Sequence, residues 1–331
     1  MRALGLVLLA GCGAGAPHAA GSAFCGSCHV EQHAGWSASG HARSTTSPVF
    51  QALLPKVEQA WGASAKARCV ACHAPGHADE ARITCVSCHA AVGNRGEKNG
   101  ALVVDVEQPL SSRAKSFTNA AHEVAPRGLL TNASLCGTCH EVHGPGLFDE
   151  RTLTEFRATG GDDSCLSCHE AAGHRFAGVD PAWEESAEVR AQADALARAL
   201  WRKGLELSVV EGESDVVITV KNVTRHAVPT GVAMLRDVWV DVEVDGERHE
   251  VMNLRAKTLR DGLEVPLITD AKEVVSGALE AGATRSVTVA RPTRVVLRAR
   301  AVRADVLEAL AVDGAAVTTH DLSVVDLPRR R

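Results

Sequence analysis

Cys25-Gly26-Ser27-Cys28-His29 is the first of five pentapeptides built to one plan. The others are Cys69-Val70-Ala71-Cys72-His73, Cys85-Val86-Ser87-Cys88-His89, Cys136-Gly137-Thr138-Cys139-His140 and Cys165-Leu166-Ser167-Cys168-His169. Two thiols separated by two residues, with histidine directly after, form the attachment pattern of a c-type haem. Each thiol makes a thioether to one vinyl group, and the adjacent imidazole binds iron from the proximal side. The spacing belongs to the chemistry, because one residue more or fewer would carry the imidazole off the iron.

Other uses of paired cysteines fit less well. Structural zinc needs a second pair of ligands and does not require histidine directly after each Cys-x-x-Cys. A disulfide framework would use the cysteines but leave five adjacent histidines without a purpose. A thioredoxin-like redox pair is usually single. The pattern therefore predicts five covalent haems, with thioethers at Cys25, Cys28, Cys69, Cys72, Cys85, Cys88, Cys136, Cys139, Cys165 and Cys168. His29, His73, His89, His140 and His169 are the proximal iron ligands.

Ten of the 11 cysteines are accounted for in this way, and the remaining one is Cys12. It follows Arg2, the apolar run Leu4–Ala10 and Gly11, which is the layout of an export leader. Leu9-Ala10-Gly11-Cys12 resembles a bacterial lipoprotein signal, with 1–11 removed and Cys12 lipidated. The apolar run is far below the ~20 residues that span a bilayer. Export and lipid anchorage to a bacterial membrane, on its periplasmic side or at the cell surface, suit covalent haem. Residues 12–23, rich in Gly and Ala, read as a flexible tether.

Beyond the tether the chain changes grammar once. Residues 24–180 carry the motifs among short helical pieces and loops, and the whole chain has only 3% aromatics and no tyrosine. This half is expected to be haem-dominated, mostly α and irregular, with porphyrins supplying apolar mass. Asp180-Pro181 resembles a helix start, and Gly204 a stop, giving a linking helix over 181–204 with Val189, Leu196 and Leu200 on one face. From 205 to 331 the apolar period becomes two, as in Val216-Val217-Ile218-Thr219-Val220 and Val238-Trp239-Val240-Asp241-Val242, with an Asp245-Gly246 turn. Short strands without long helices between them predict an all-β sandwich. A net charge of −5 provides no basic stripe for nucleic acid.

Ten histidines remain after the proximal five; His33, His41, His77, His122, His143 and His174 lie in the motif-bearing half. That surplus permits bis-histidine iron throughout. His143 lies too close to His140 to cap the same iron and is a candidate for another.

Trp36-Ser37-Ala38-Ser39-Gly40-His41-Ala42, following the first motif, resembles a segment of multihaem c-type cytochromes. Those relatives include the tetrahaem carrier that accepts electrons from hydroxylamine oxidoreductase in nitrifiers. The resemblance, which covers most of 24–245, implies that His41 is a distal ligand. By the same resemblance His122 precedes a Cys-Gly-x-Cys-His motif, and His174 follows the last one in His174-Arg175-Phe176. His226-Ala227-Val228-Pro229-Thr230-Gly231 resembles the family's Gly-His-x-x-Pro-Thr-Gly, implicating His226, with Arg225 standing where the family has glycine.

The expected function is electron transfer by haem-to-haem hopping between a redox protein donor and an acceptor. The rival is a multihaem oxidoreductase with one open five-coordinate haem, acting on a small nitrogen or sulfur compound. Ammonia-forming nitrite reductase is marked by Cys-x-x-Cys-Lys and a catalytic tyrosine, and the chain has neither.

Overall fold

A computed structural model describes residues 21–76, 81–112, 116–118, 122–160, 164–169, 173–183 and 186–328. The leader, Cys12, most of the proposed tether and His77 lie outside these residues.

Alternation of apolar and polar residues produces the C-terminal sandwich. One sheet has strand order Thr284–Ala290, Asp215–Asn222, Leu205–Glu211; the other has Glu247–Asn253, Asp237–Val244, Arg294–Arg300, Thr319–Asp326. All these pairings are antiparallel. The period-two residues Val216, Ile218 and Val220 from one sheet meet Val238, Val240, Val295 and Leu297 from the other, and all are sealed from solvent. Each such side chain contributes roughly 1.5–3 kcal/mol on burial. Asp245 and Gly246 both take positive φ, as the tight hairpin turn requires.

The helix before the sandwich spans Ala187–Gly204 and drives Trp201 into the same core. Its N-cap is Ser186, whose hydroxyl accepts from the Val189 amide at 3.3 Å. Asp180 does not cap it, as the sequence suggested. Its carboxylate instead pairs with Arg236 of the sandwich at 3.3 Å, and residues 181–183 run as coil. A charged partner held by tertiary structure outcompetes the local cap.

The helix Pro48–Trp61 adds a protein source of apolar mass to the N-terminal half. Its Val49, Leu53 and Val57 pack onto Met234, Leu235, Leu267, Ile268, Val306 and Leu307. The two halves thus share a second core, and the sandwich supplies apolar mass that the first half lacks. The proposed tether also ends early, because a helix over Gly21–Gly26 takes in its last three residues.

The N-terminal half is not only helix and loop. Short strands pair Ala91–Asn94 with Leu102–Val104 and Val142–His143 with Asp149–Glu150. Glu123–Pro126 runs between Leu110–Ser112 and Phe117–Thr118. Among the described residues no helix is long and apolar enough to cross a membrane.

Candidate functional site

Each Cys-x-x-Cys-His is wound into one helical turn. The histidine amide donates to the carbonyl of the first cysteine at 2.8 Å for His29, 2.9 Å for His140 and 3.0 Å for His169. The other two motifs lie within the helices Ala63–His73 and Cys85–His89. Winding places the two cysteines, three residues apart, on one face with the imidazole beside them. Local polar residues start these turns. Thr84 and Ser87 form a reciprocal capping box for the third, and the Asn132 side chain accepts from the Ser134 amide at 2.9 Å for the fourth.

The histidines then gather in twos. Ring centroids lie 6.2 Å apart for His29 and His122, 6.5 Å for His140 and His41, 6.1 Å for His89 and His174, and 6.4 Å for His169 and His226. A metal held ~2 Å from each of two facing imidazole nitrogens sets the ring centres about 6 Å apart. Each pair joins a motif histidine to one from elsewhere in the chain. Among the described residues no three His, Cys, Asp or Glu side chains converge on one point. Imidazole pairs beside paired thiols therefore fit c-type haem better than zinc.

Second contacts orient these rings. Nδ1 of His73, His89 and His169 faces the carbonyl oxygens of Ser44 at 2.5 Å, Ser111 at 2.7 Å and Ala177 at 2.7 Å. His226 faces the carbonyl of Ala227 at 2.8 Å. A carbonyl only accepts, so Nδ1 carries the proton and Nε2 presents its lone pair to a metal. Burial also keeps several rings neutral. It lowers His73, His89 and His226, and burial followed by the neighbouring His140 pulls His41 down to about 4. His140 differs, because its Nδ1 faces the Glu150 carboxylate at 3.3 Å. Burial opposes charge there, yet the carboxylate outweighs it and raises the imidazolium to about 9.

His73 stands apart from the other motif histidines. Among the described residues no histidine ring faces it, and Phe50 stacks on it with centroids 4.1 Å apart. His143 does not supply the missing partner. Its Nε2 lies 3.1 Å from Glu141, and the Asn99 side chain holds its backbone. The Val142–His143 strand places it in that hairpin, where no imidazole among the described residues faces it.

The motifs also approach one another. The Cys72 side chain neighbours Cys139, and Cys136 neighbours Cys165. The Ser87 hydroxyl donates to the Pro75 carbonyl at 3.1 Å, tying the third motif to the segment after the second. The final motif folds back on itself, with the Ala177 amide donating to the His169 carbonyl at 2.8 Å. Within that loop His174 and Phe176 both take positive φ. Phe176 thereby sits 5.0 Å from His41 and 5.8 Å from His174, between two of the facing pairs.

Arg225, directly before His226, turns to the helix Thr152–Ala158. Its guanidinium lies 4.0 Å over the Phe156 ring, and its Nε donates to the Thr159 hydroxyl at 2.8 Å. It also donates to the Gly160 carbonyl just past the helix Thr152–Ala158, where positive charge is favoured. Sequence reasoning missed Glu150, Phe50 and the orienting carbonyls of Ser44, Ser111 and Ala177. Backbone carbonyls leave no trace in a sequence, and Glu150 reaches His140 only through a hairpin too short to show a period.

Fold and site together define a motif-bearing helical half, fused to a β-sandwich that lends it a histidine. Residues 24–112, containing the first three motifs, match the family described as cytochrome c554 and c-prime. The crystal structure of a penta-heme cytochrome c552 from Thermochromatium tepidum shares the fold, with a TM-score of 0.67 at 17% identity. The match covers 92% of this chain and 97% of that one. No curated protein matches the chain in sequence.

Proposed function

We propose that the chain is a pentahaem c-type cytochrome that carries electrons. The observation that supports this most directly is the set of four facing imidazole pairs, each with one member directly after a Cys-x-x-Cys. Haem iron between two imidazoles exchanges single electrons without an open coordination position, at lower potential than with a methionine ligand. The ten motif cysteines tether the groups, and His29, His73, His89, His140 and His169 ligate from the proximal side. His122, His41, His174 and His226 complete four of the five sites. The contacts joining the motifs support passage of electrons along the set, between a redox protein donor and an acceptor. Export and a lipid at Cys12 would hold the carrier on a bacterial membrane. A donor of the hydroxylamine oxidoreductase kind is the finer reading of the family resemblance.

A specific observation favours a second reading. Phe50, which cannot ligate, stacks on His73 with ring centroids 4.1 Å apart, and an iron held there without a second protein ligand would take a small nitrogen or sulfur compound.

Mass spectrometry of the protein matured in a haem-attaching host tests the first reading, with five haems per chain expected; zinc or free thiols would overturn it. Electron paramagnetic resonance separates the two readings. Four low-spin centres and one high-spin centre that binds azide or nitric oxide place an open iron at His73. Five low-spin centres leave only the carrier. Cys12→Ala tests the anchor, because persistent membrane attachment would rule out the lipid.

A further inference from the structure

Glu150 is the one charged group among the described partners of the motif histidines. His73, His89 and His169 each donate from Nδ1 to a neutral carbonyl, whereas His140 donates to a carboxylate. The placement is built from three sides. Glu150 lies opposite Val142 in the hairpin after the fourth motif, which returns it toward His140. The Thr152 hydroxyl donates to the same carboxylate oxygen at 3.2 Å. The side chain is only 12% exposed, so little water screens its charge.

A carboxylate draws the Nδ1 proton more strongly than a carbonyl does, which makes Nε2 a better donor to a metal. Stronger donation favours ferric over ferrous iron and lowers the potential. Resting on the haem reading above, we propose that Glu150 is a positioning residue that depresses the potential of the His140–His41 site relative to its carbonyl-backed neighbours. The fourth motif neighbours both the second and the fifth at its cysteines. A depressed site there places an energetic step at the junction of the set, which slows the passage of electrons through it from either side.

Spectroelectrochemical titration of Glu150→Gln, matured with its haems and compared with the unmutated protein, tests this. One of five midpoints should rise by ~59 mV, a tenfold change in the oxidised-to-reduced ratio at fixed poise. The midpoints of the His73 and His169–His226 sites, which feel the same charge from farther away, should move less, and the haem content and low-spin signals should stay as they were. Five haems with no midpoint moved would overturn the role of Glu150 alone, and so would a uniform shift of all five. Absence of covalent haem from the unmutated protein would instead remove the functional reading on which the inference rests. Should Glu150→Gln fail to mature, Thr152→Val serves, because it frees the carboxylate oxygen for His140. The same midpoint should then fall, and an unmoved or raised midpoint would overturn the proposal.

Discussion

His169 and His226 face each other with ring planes 26° from parallel, one directly after the last cysteine and the other on a turn leaving the β-sandwich. The turn is fixed by several polar contacts. The Asn222 side-chain amide donates to the carbonyls of His226 at 2.7 Å and Leu279 at 2.8 Å. The Ala227 amide donates to Glu155 at 2.8 Å, which ties the turn to the motif-bearing half. The sandwich thus brings His226 to face a motif histidine, and its shared core with the helix Pro48–Trp61 ties it to the motif-bearing half.

Replacing His226 with Ala should therefore leave the fold and the haem content unchanged while one iron becomes high-spin. His226 is not among the side chains that form the sandwich core, so the core loses none of them. His249→Ala is the matched control, since His249 is exposed on a hairpin and meets only Glu247, at 3.9 Å. Electron paramagnetic resonance of the oxidised proteins distinguishes them; identical spectra would remove His226 from the ligand set.

Gly35→Ala should destabilise the protein, although glycine-to-alanine within an exposed helix normally adds about 0.5–1 kcal/mol. A Cβ at this position falls on the carbonyl oxygen of Gly173, which is backbone and cannot rotate away. The helix Val30–Ser37 must then part from the segment that carries His174 and Phe176. A net loss of ~1–3 kcal/mol is expected, read as a lowered denaturant midpoint, together with a weakened low-spin signal from the His89–His174 site. A stabilised variant would refute the close approach.

The parts of this arrangement legible in the sequence are those set by short-range spacing. Five Cys-x-x-Cys-His turns and the alternating strands around Ile218 and Val240 declare themselves within a few residues. His41, His122, His174 and His226 stood out by family resemblance, but their partners did not, because pairing depends on how distant segments meet. His143 likewise meets Glu141 and Asn99 through a local hairpin that the sequence did not announce. Asp180 looked like a cap until Arg236, 56 residues on, took its carboxylate.

Glu97 gives the stability a defined acid dependence. Hydrogen bonds from Arg157, at 2.8 Å, and from Ser134 hold its carboxyl at about 2, against an ordinary value of 4.5. A depressed folded value means that the stabilisation is complete above about 4.5 and disappears as pH falls through about 2. Both side chains are more than a third exposed, at 38% and 47%, so the contribution is ~1 kcal/mol or less. Urea midpoints of Glu97→Gln should lie below those of the unmutated protein at neutral pH and converge with them near pH 2. A constant difference across that range would assign the effect to something other than this ion pair.

Arg225→Ala separates support of the helix from ligation. The guanidinium spans the Phe156 ring and the Thr159 hydroxyl, closing the end of the helix Thr152–Ala158. Its removal should cost ~1–2 kcal/mol through the lost cation–π and helix-end contacts. The iron facing His226 should stay low-spin, because Asn222 and Glu155 hold the turn without Arg225. Denaturant unfolding and electron paramagnetic resonance on the same preparation check both halves. A high-spin iron appearing in the variant would make Arg225 part of the device that presents His226, and unchanged stability would deny it the role of closing the helix.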